Sequence, residues 1–245
     1  VKSMAFASYC LTEREAGSDT SAIKTTARKD GAHYVINGSK CFITNGGVSS
    51  LYVVFANSAP QKGSRGLSVF AVPREPPGVS IGPVEDKFGH RASNPPELFF
   101  EDVRVPADNL IGREGLGFIV AMRTFDKTRA AVGAAGVGIA RAALEYAIQY
   151  SKTRVQFGKP IATFQATAFK IAQMAMEVEA ARLLVWRAAW LMDRGKPNAK
   201  ESAMAKCLGT DVGMKNALEA LQIYGGYGYM KDYPVEKLVR DAKLL

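Results

Sequence analysis

Histidine, cysteine and tryptophan are scarce in this chain of 245 residues, at two, three and two respectively. His33 and His90 stand far apart and share no metal-ligand spacing with any cysteine, which argues against a zinc centre, and no metal site is expected. Cys10, Cys41 and Cys207 are widely spaced, form no C-x-x-C and are odd in number. That excludes a disulfide framework and favours buried, reduced thiols in a reducing compartment. No apolar run reads as long enough to span a bilayer. Val1 is not followed by the charged and apolar regions of a secretory signal. The chain also lacks an initiator methionine, so it is not expected to start where its gene starts.

What is present is ordinary for a packed protein: 47% hydrophobic and 22% charged residues, in a length that suits one large domain or two modest ones. Lys and Arg number 32 against 23 Asp and Glu, a formal charge of +9. The basic residues are scattered, with no arm or stripe of the kind that binds nucleic acid. A solvated surface, or docking of a phosphate-rich small molecule, accounts for the excess.

The chain divides in texture near Gly112. Residues 1 to 112 read as short strands bounded by Gly, Pro and Ser: Met4 to Leu11, Leu51 to Ala56, Leu67 to Val72, Glu97 to Phe100 and Val103 to Val105. Asn37-Gly38 sits between two strand-like runs and predicts a hairpin turn. Pro76-Pro77-Gly78 and Pro95-Pro96 read as loops. No crossover helix fits between the strands, so an antiparallel barrel or sandwich is expected. Residues 113 to 245 read as helices. The first, Leu116 to about Tyr150, is rich in Ala and has Gly133, Gly136 and Gly138, which suit close helix packing better than a nucleotide-binding turn because no strand precedes them. The second repeats Phe164, Ala168, Ile171, Ala175, Val178, Ala181, Val185 and Ala188 at spacings of three and four, one helix face, and stops at Arg194-Gly195-Lys196-Pro197. A third runs from about Ala199 to Tyr224 and ends at Gly225-Gly226; a fourth starts at Pro234. The fold class is therefore α+β, a β domain followed by an all-α bundle.

Two polar loops close apolar runs in the β domain. Tyr9-Cys10-Leu11-Thr12-Glu13-Arg14-Glu15-Ala16-Gly17-Ser18-Asp19 can aim hydroxyls and backbone N–H groups at a ligand, or can be a plain turn. Lys40-Cys41-Phe42-Ile43-Thr44-Asn45-Gly46-Gly47 has the same logic, with Phe42 readable as a core aromatic of a hairpin. Further along stand Glu101 to Pro106, Phe125-Asp126-Lys127-Thr128-Arg129, Arg154-Val155-Gln156-Phe157-Gly158-Lys159, Gln222-Ile223-Tyr224-Gly225-Gly226 and Tyr233 to Lys243. In this order and spacing, the segments resemble the acyl-CoA dehydrogenase family along the whole chain. The closest likeness is to its medium- and short-chain, straight-chain members, without the helical domain that precedes these segments in the family.

That resemblance implies FAD. Tyr9, Leu11, Thr12, Gly17 and Ser18 would hold the isoalloxazine and ribityl, with Phe42, Ile43 and Thr44 packing on the ring and bonding its edge. Arg154, Gln156, Phe157, Gln165, Gln222, Gly225 and Gly226 match contacts to the adenine half made from a neighbouring subunit, although the Gly pair also suits simple helix termination. A homo-oligomer follows, usually in this family a tetramer built as a dimer of dimers. Ser18, Phe125, Asp126, Thr128 and Arg129 match acyl-CoA contacts, against the plainer reading of an Asp126–Arg129 surface pair. The family's reaction is α,β-dehydrogenation of an acyl-CoA to a trans-2-enoyl-CoA, as in fatty-acid β-oxidation, with electrons passing to electron-transfer flavoprotein. Its home is the cytoplasm in bacteria and the mitochondrial matrix in eukaryotes.

Two departures stand out. The family's base is usually a Glu in an aromatic-Glu-Gly-Thr segment after Arg240-Asp241-Ala242-Lys243, which would fall beyond Leu245; the other known position is held here by Thr128, which cannot act as a base. No catalytic residue is therefore assigned in this chain, which reads as an incomplete dehydrogenase. Arg14-Glu15 replaces the Pro and small residue that many members carry. The alternatives are a non-catalytic FAD- or CoA-binding subunit paired with a second chain, and another oxidoreductase on the same scaffold, such as an enoyl-CoA reductase or a nitroalkane oxidase relative.

Overall fold

The computed structural model describes residues 6–245, so Met4, where the first strand-like run was placed, lies outside the described residues. Two compact units are present: one holds the residues up to Lys87 together with Arg91–Arg123, the other Phe88–His90 with Thr124–Leu245. His90 belongs to the second unit because its backbone N–H donates to Asp241 Oδ1 at 2.7 Å and its ring nitrogen lies 2.9 Å from the Asp241 carbonyl.

The first unit is one curled, seven-stranded sheet. Its strands are β1 (Ala7–Cys10), β2 (Thr26–Asp30), β3 (His33–Lys40), β4 (Leu51–Asn57), β5 (Leu67–Pro73), β6 (Val79–Val84) and β7 (Pro96–Pro106). The spatial order is β1-β4-β2-β3-β7-β6, with β5 on the other edge of β4. The sheet is mixed, which corrects the antiparallel expectation: β1 runs parallel to β4 from Ala7↔Leu51 to Cys10↔Val54, and Thr26 pairs parallel with Asn57. A parallel pair needs a long connection between its strands, and that connection need not be a helix. Here the β2–β3 hairpin lies within it.

The hairpin turn also falls elsewhere than expected. It lies at Gly31, whose φ is +60°, between Asp30 and His33, and β3 continues straight through Asn37-Gly38. Those two residues serve a β-bulge. Ile36 pairs with Val103 and Gly38 with Phe100, so Asn37 alone faces Glu101 and Asp102. Asn37 Oδ1 accepts from the Asp102 backbone N–H at 2.8 Å, and Asn37 Nδ2 donates to Asp102 Oδ1 at 3.0 Å. Asp102 takes φ +50°. The extra residue shifts the phase of β7, so Leu98 and Phe100 before it and Val103 and Val105 after it all enter one core. The two short strands expected over this stretch are thus a single bulged strand. Gly38 is required because a Cβ there would lie 2.5 Å from Thr25 Oγ1.

Helix α1 (Gly117–Thr153) leads into the second unit, which continues through the two-residue strands β8 (Val155–Gln156) and β9 (Lys159–Pro160) to α2 (Gln165–Asp193), α3 (Ala199–Tyr224) and α4 (Val235–Ala242). α2 ends as expected. Gly195 takes φ +63°, its N–H and that of Lys196 bond back to the carbonyls of Met192 and Leu191, and both Arg194 and Lys196 lie over the Trp190 ring. The buried face of α2 is Met174, Val178, Ala181, Val185 and Ala188, so Met174 rather than Ala175 belongs to it, and Ala168 is exposed. By length and composition alone α1 is apolar enough to cross a bilayer, which corrects the reading that no run is. Its small residues have a packing explanation. A Cβ at Gly133 or Gly136 would lie 2.5 Å from the Ala205 carbonyl or 2.3 Å from that of Gly209, so α1 and α3 touch backbone to backbone. Gly138 has open space and is not part of that contact.

Cys10 and Cys41 are buried, and burial pushes the Cys10 thiol up to about 12, so it stays a protonated core residue. Cys207 is exposed, against the expectation that all three thiols are buried.

Candidate functional site

In the first unit the two loops named above meet. The turn from Glu13 to Ala16 is closed by paired backbone bonds, Glu13 N to Ala16 O at 3.1 Å and Ala16 N to Glu13 O at 3.2 Å. Cys41 N donates to Thr12 O at 3.0 Å, which joins this loop to the next. The segment around Thr44 is fixed from below: Ser8 Oγ donates to Thr44 O at 2.7 Å, and Tyr52 Oη to Gly46 O at 2.9 Å. Arg14 and Glu15 stand at the tip of the turn. Arg14 grips Glu97 through two bonds of 2.7 and 2.8 Å, and Glu15 pairs with Lys24, so the turn is held by ion pairs on its outer side.

Beneath the loops lies a contact that sequence reading missed. Lys40 is fully buried, and its Nζ donates to Glu13 Oε1 at 2.7 Å and to Leu11 O at 3.0 Å. The other donors to Glu13 are Lys24 N at 2.7 Å, Thr25 N at 3.1 Å and the Thr25 hydroxyl at 2.5 Å. Burial alone would raise the Glu13 carboxyl, but the Lys40 charge and these hydrogen bonds outweigh it and hold the group below its ordinary value. Burial pushes the Lys40 ammonium down, against the pull of Glu13. A charged lysine at the inward position of a strand was the available signal. The stabilising effect of Glu13 is full above its ordinary value of 4.5 and is lost as pH falls through its lower folded value. Acid unfolding of Glu13→Gln followed by circular dichroism should therefore show a shallower loss of stability below about pH 4.5 than the wild type.

The loops sort the expected flavin contacts into two kinds. Leu11 and Ile43 are buried, and the Ile43 side chain is part of the β core. Tyr9 is half-buried, its ring 4.8 Å from that of Phe55. Gly17, Ser18, Phe42 and Thr44 are exposed and Thr12 half-buried. Phe42 is 67% exposed at φ +56°, so it is not the core aromatic of a hairpin. A bulky residue in the left-handed region costs about 1–2 kcal/mol, and exposing its ring forfeits the burial that would offset that cost. A flat apolar partner is what would restore that burial.

The second unit repeats this device. Phe157 and Gly158 form the turn between β8 and β9 at φ +50° and +75°. Phe157 is 94% exposed, its ring 6.1 Å from and nearly perpendicular to that of Phe164. Close by in the same unit, a pocket of about 680 Å³ gathers Arg154, Gln156, Gly225 and Gly226 around Tyr150, Tyr224 and Tyr227. Tyr150 and Tyr224 stack at 4.0 Å, and Arg154 lies over the Tyr227 ring at 5.4 Å. A Cβ at Gly225 or Gly226 would meet nothing within 4 Å, so the glycines leave an open cradle. Gly225 at φ +60° also ends α3, the helix termination that the pair suits. Phe157, Gln165 and Gln222 lie outside this pocket and are exposed.

On α1, Arg129 donates to Asp126 Oδ1 at 2.9 Å and stands 5.6 Å over the Phe125 ring, while Thr128 is exposed. The plain surface pair is thus present, and a guanidinium with five donors has others to offer. In the first unit the exposed Phe42 with the Thr12 and Thr44 hydroxyls suits the face and edge of a flat ring, and in the second Arg154 with bare glycine backbone suits a phosphate.

Comparison with known proteins agrees. The acyl-CoA dehydrogenase middle domain matches residues 8–103, and the acyl-CoA dehydrogenase C-terminal domain matches residues 115–245. The chain is 51% identical over 236 residues to an acyl-CoA dehydrogenase of Bacillus subtilis, covering 96% of this chain and 62% of that one. It is 50% identical over 238 residues to an acryloyl-CoA reductase (NADH) of Anaerotignum propionicum, covering 96% and 60%. The structure of butyryl-CoA dehydrogenase from Megasphaera elsdenii superposes with a TM-score of 0.96 at 48% identity, over 98% of this chain and 63% of that one. The chain therefore spans somewhat under two thirds of the length of these relatives, whose family is one of FAD-dependent flavoproteins. With both domain matches falling on the two units just described, the chain belongs to the acyl-CoA dehydrogenase family.

Proposed function

We propose that this chain carries the flavin- and CoA-binding parts of an FAD-dependent acyl-CoA dehydrogenase that converts acyl-CoA thioesters to trans-2-enoyl-CoA and passes electrons to electron-transfer flavoprotein. The observation that carries the reading is the same device in each unit, an outward phenylalanine at positive φ: Phe42 in the loop that also carries Thr44, and Phe157 in the unit that holds the pocket of Arg154 and open glycines. When bound, FAD supplies the acceptor for the hydride leaving the β carbon. Phe42 offers its ring to the isoalloxazine, and Thr12 and Thr44 offer hydroxyls to its edge. Arg154 and Gln156 address the adenine half in a neighbouring copy, with Gly225 and Gly226 admitting the diphosphate. Arg129 meets the anionic part of CoA while Asp126 fixes its rotamer. The base is assigned to none of these residues; the family pattern puts it in an aromatic-Glu-Gly-Thr segment after Lys243. A homotetramer is part of the proposal, supported by Phe169, Met176, Leu183 and Trp190, all exposed and seven residues apart on α2.

The test is made on the full-length protein. It should purify with flavin absorbance that bleaches when a saturated short-chain acyl-CoA is added. Phe42→Ala and Phe157→Ala should each weaken FAD binding by roughly 2- to 10-fold, the worth of one aromatic contact. A folded full-length protein that takes up no FAD would sink the proposal. The second reading is reduction of an enoyl-CoA, favoured by the relation to an acryloyl-CoA reductase. Turnover of enoyl-CoA with NADH, exceeding turnover of acyl-CoA with an electron acceptor, would select it.

A further inference from the structure

We propose that Lys40 and Glu13 are positioning residues for the flavin: a buried clamp that fixes the spacing of the two loops facing the isoalloxazine. The inference rests on the FAD reading above. Lys40 is the last residue of β3, two positions before Phe42. Its ammonium crosses to the residues on either side of Thr12, Leu11 O at 3.0 Å and Glu13 Oε1 at 2.7 Å. The backbone adds Cys41 N to Thr12 O at 3.0 Å. The chain just before Phe42 is therefore tied to Thr12 from both sides. Glu13 is anchored in turn by Lys24 N, Thr25 N and the Thr25 hydroxyl.

Stability alone does not call for this arrangement. A buried ion pair can often be replaced by apolar side chains of similar volume without loss. What the pair adds is direction, because each bond has a fixed length and angle and together they select one register between the loops. Thr12 and Thr44 can address the same ring edge only while that register holds, and a displacement of about 1 Å suffices to undo such alignment. Both side chains are buried, at 0% and 8% exposure, so they act through the loops rather than by touching the ring.

The experiment compares full-length wild type with Glu13→Gln/Lys40→Met, an uncharged pair of similar volume. Unfolding of the FAD-free protein, the FAD dissociation constant and the bound-flavin absorbance bands are read for each. The double variant should melt close to wild type yet bind FAD roughly 10- to 100-fold more weakly, with bands broadened toward those of free flavin. A folded double variant with wild-type FAD affinity and spectrum would overturn the proposal. If the double variant does not fold, Glu13→Asp decides. It keeps the charge and shortens the reach, so weakened FAD binding with altered bands supports the clamp, and unchanged values reject it. Wild-type protein that takes up no FAD would instead overturn the functional reading on which the clamp rests.

Discussion

Lys40→Ala should lose about 3–5 kcal/mol of folding stability, the usual result of removing one partner from a buried ion pair. The loss has two sources. Glu13, 8% exposed, keeps its desolvation cost but loses the nearest charge opposing it. The Leu11 carbonyl loses a 3.0 Å donor, and the space left by the lysine stem is lined by close-packed strands that cannot collapse fully. Without Lys40 the Glu13 carboxyl rises, because burial is the largest influence on it and then acts with less opposition. Acid unfolding of Lys40→Ala should therefore begin at higher pH than in wild type. Urea melts at pH 7 and pH 5 measure both effects. A Lys40→Ala protein within 1 kcal/mol of wild type at pH 7 would mean that the pair is solvated in solution, contrary to its burial.

The pair also illustrates what the sequence carried and what it did not. Strand positions followed from composition: the runs at Leu51 and Leu67 are β4 and β5 to within a residue. Their pairing did not follow, because β1 meets β4 across a long connection, and nothing local records which edge of β4 is open. Asn37-Gly38 carried the strongest hairpin signal and serves a bulge instead. Its partner, Asp102, lies 65 residues away, and only that contact says why Asn and Gly stand there. The working turn at Gly31 had the same chemistry in Asp30-Gly31, so the local signal was real but ambiguous between two sites. At the candidate site the family motifs named the loops, yet the side chains of Leu11 and Ile43 proved to be core. Lys40 offered only the signal of a charge at an inward strand position, and its partner stayed hidden because the contact depends on Glu13, 27 residues away, meeting it in the fold.

Gly136→Leu should destabilise the helical unit by about 3 kcal/mol or more, and Gly138→Ala, two residues along the same helix, should stabilise it by about 0.5–1 kcal/mol. The opposite signs follow from geometry. A Cβ at Gly136 would stand 2.3 Å from the Gly209 carbonyl oxygen and 2.6 Å from its carbon, both backbone atoms of α3 that cannot rotate away. The helices must then separate, and the neighbouring contacts at Gly133, Gly209 and Gly213 open with them, since each places a Cβ within 3.0 Å of the facing backbone. Loss of close packing along this seam exposes part of the cluster of Ala130, Ala140, Ala181 and Ala205, whose small side chains cannot extend to refill the gap. At Gly138 a Cβ meets nothing within 4 Å, so alanine only restricts the unfolded chain and improves helix propensity. Thermal melts of both variants against wild type give the two signs directly. Destabilisation by both would show that the open space beside Gly138 is closely packed in solution, and stabilisation by both would show that the α1–α3 seam does not persist in solution.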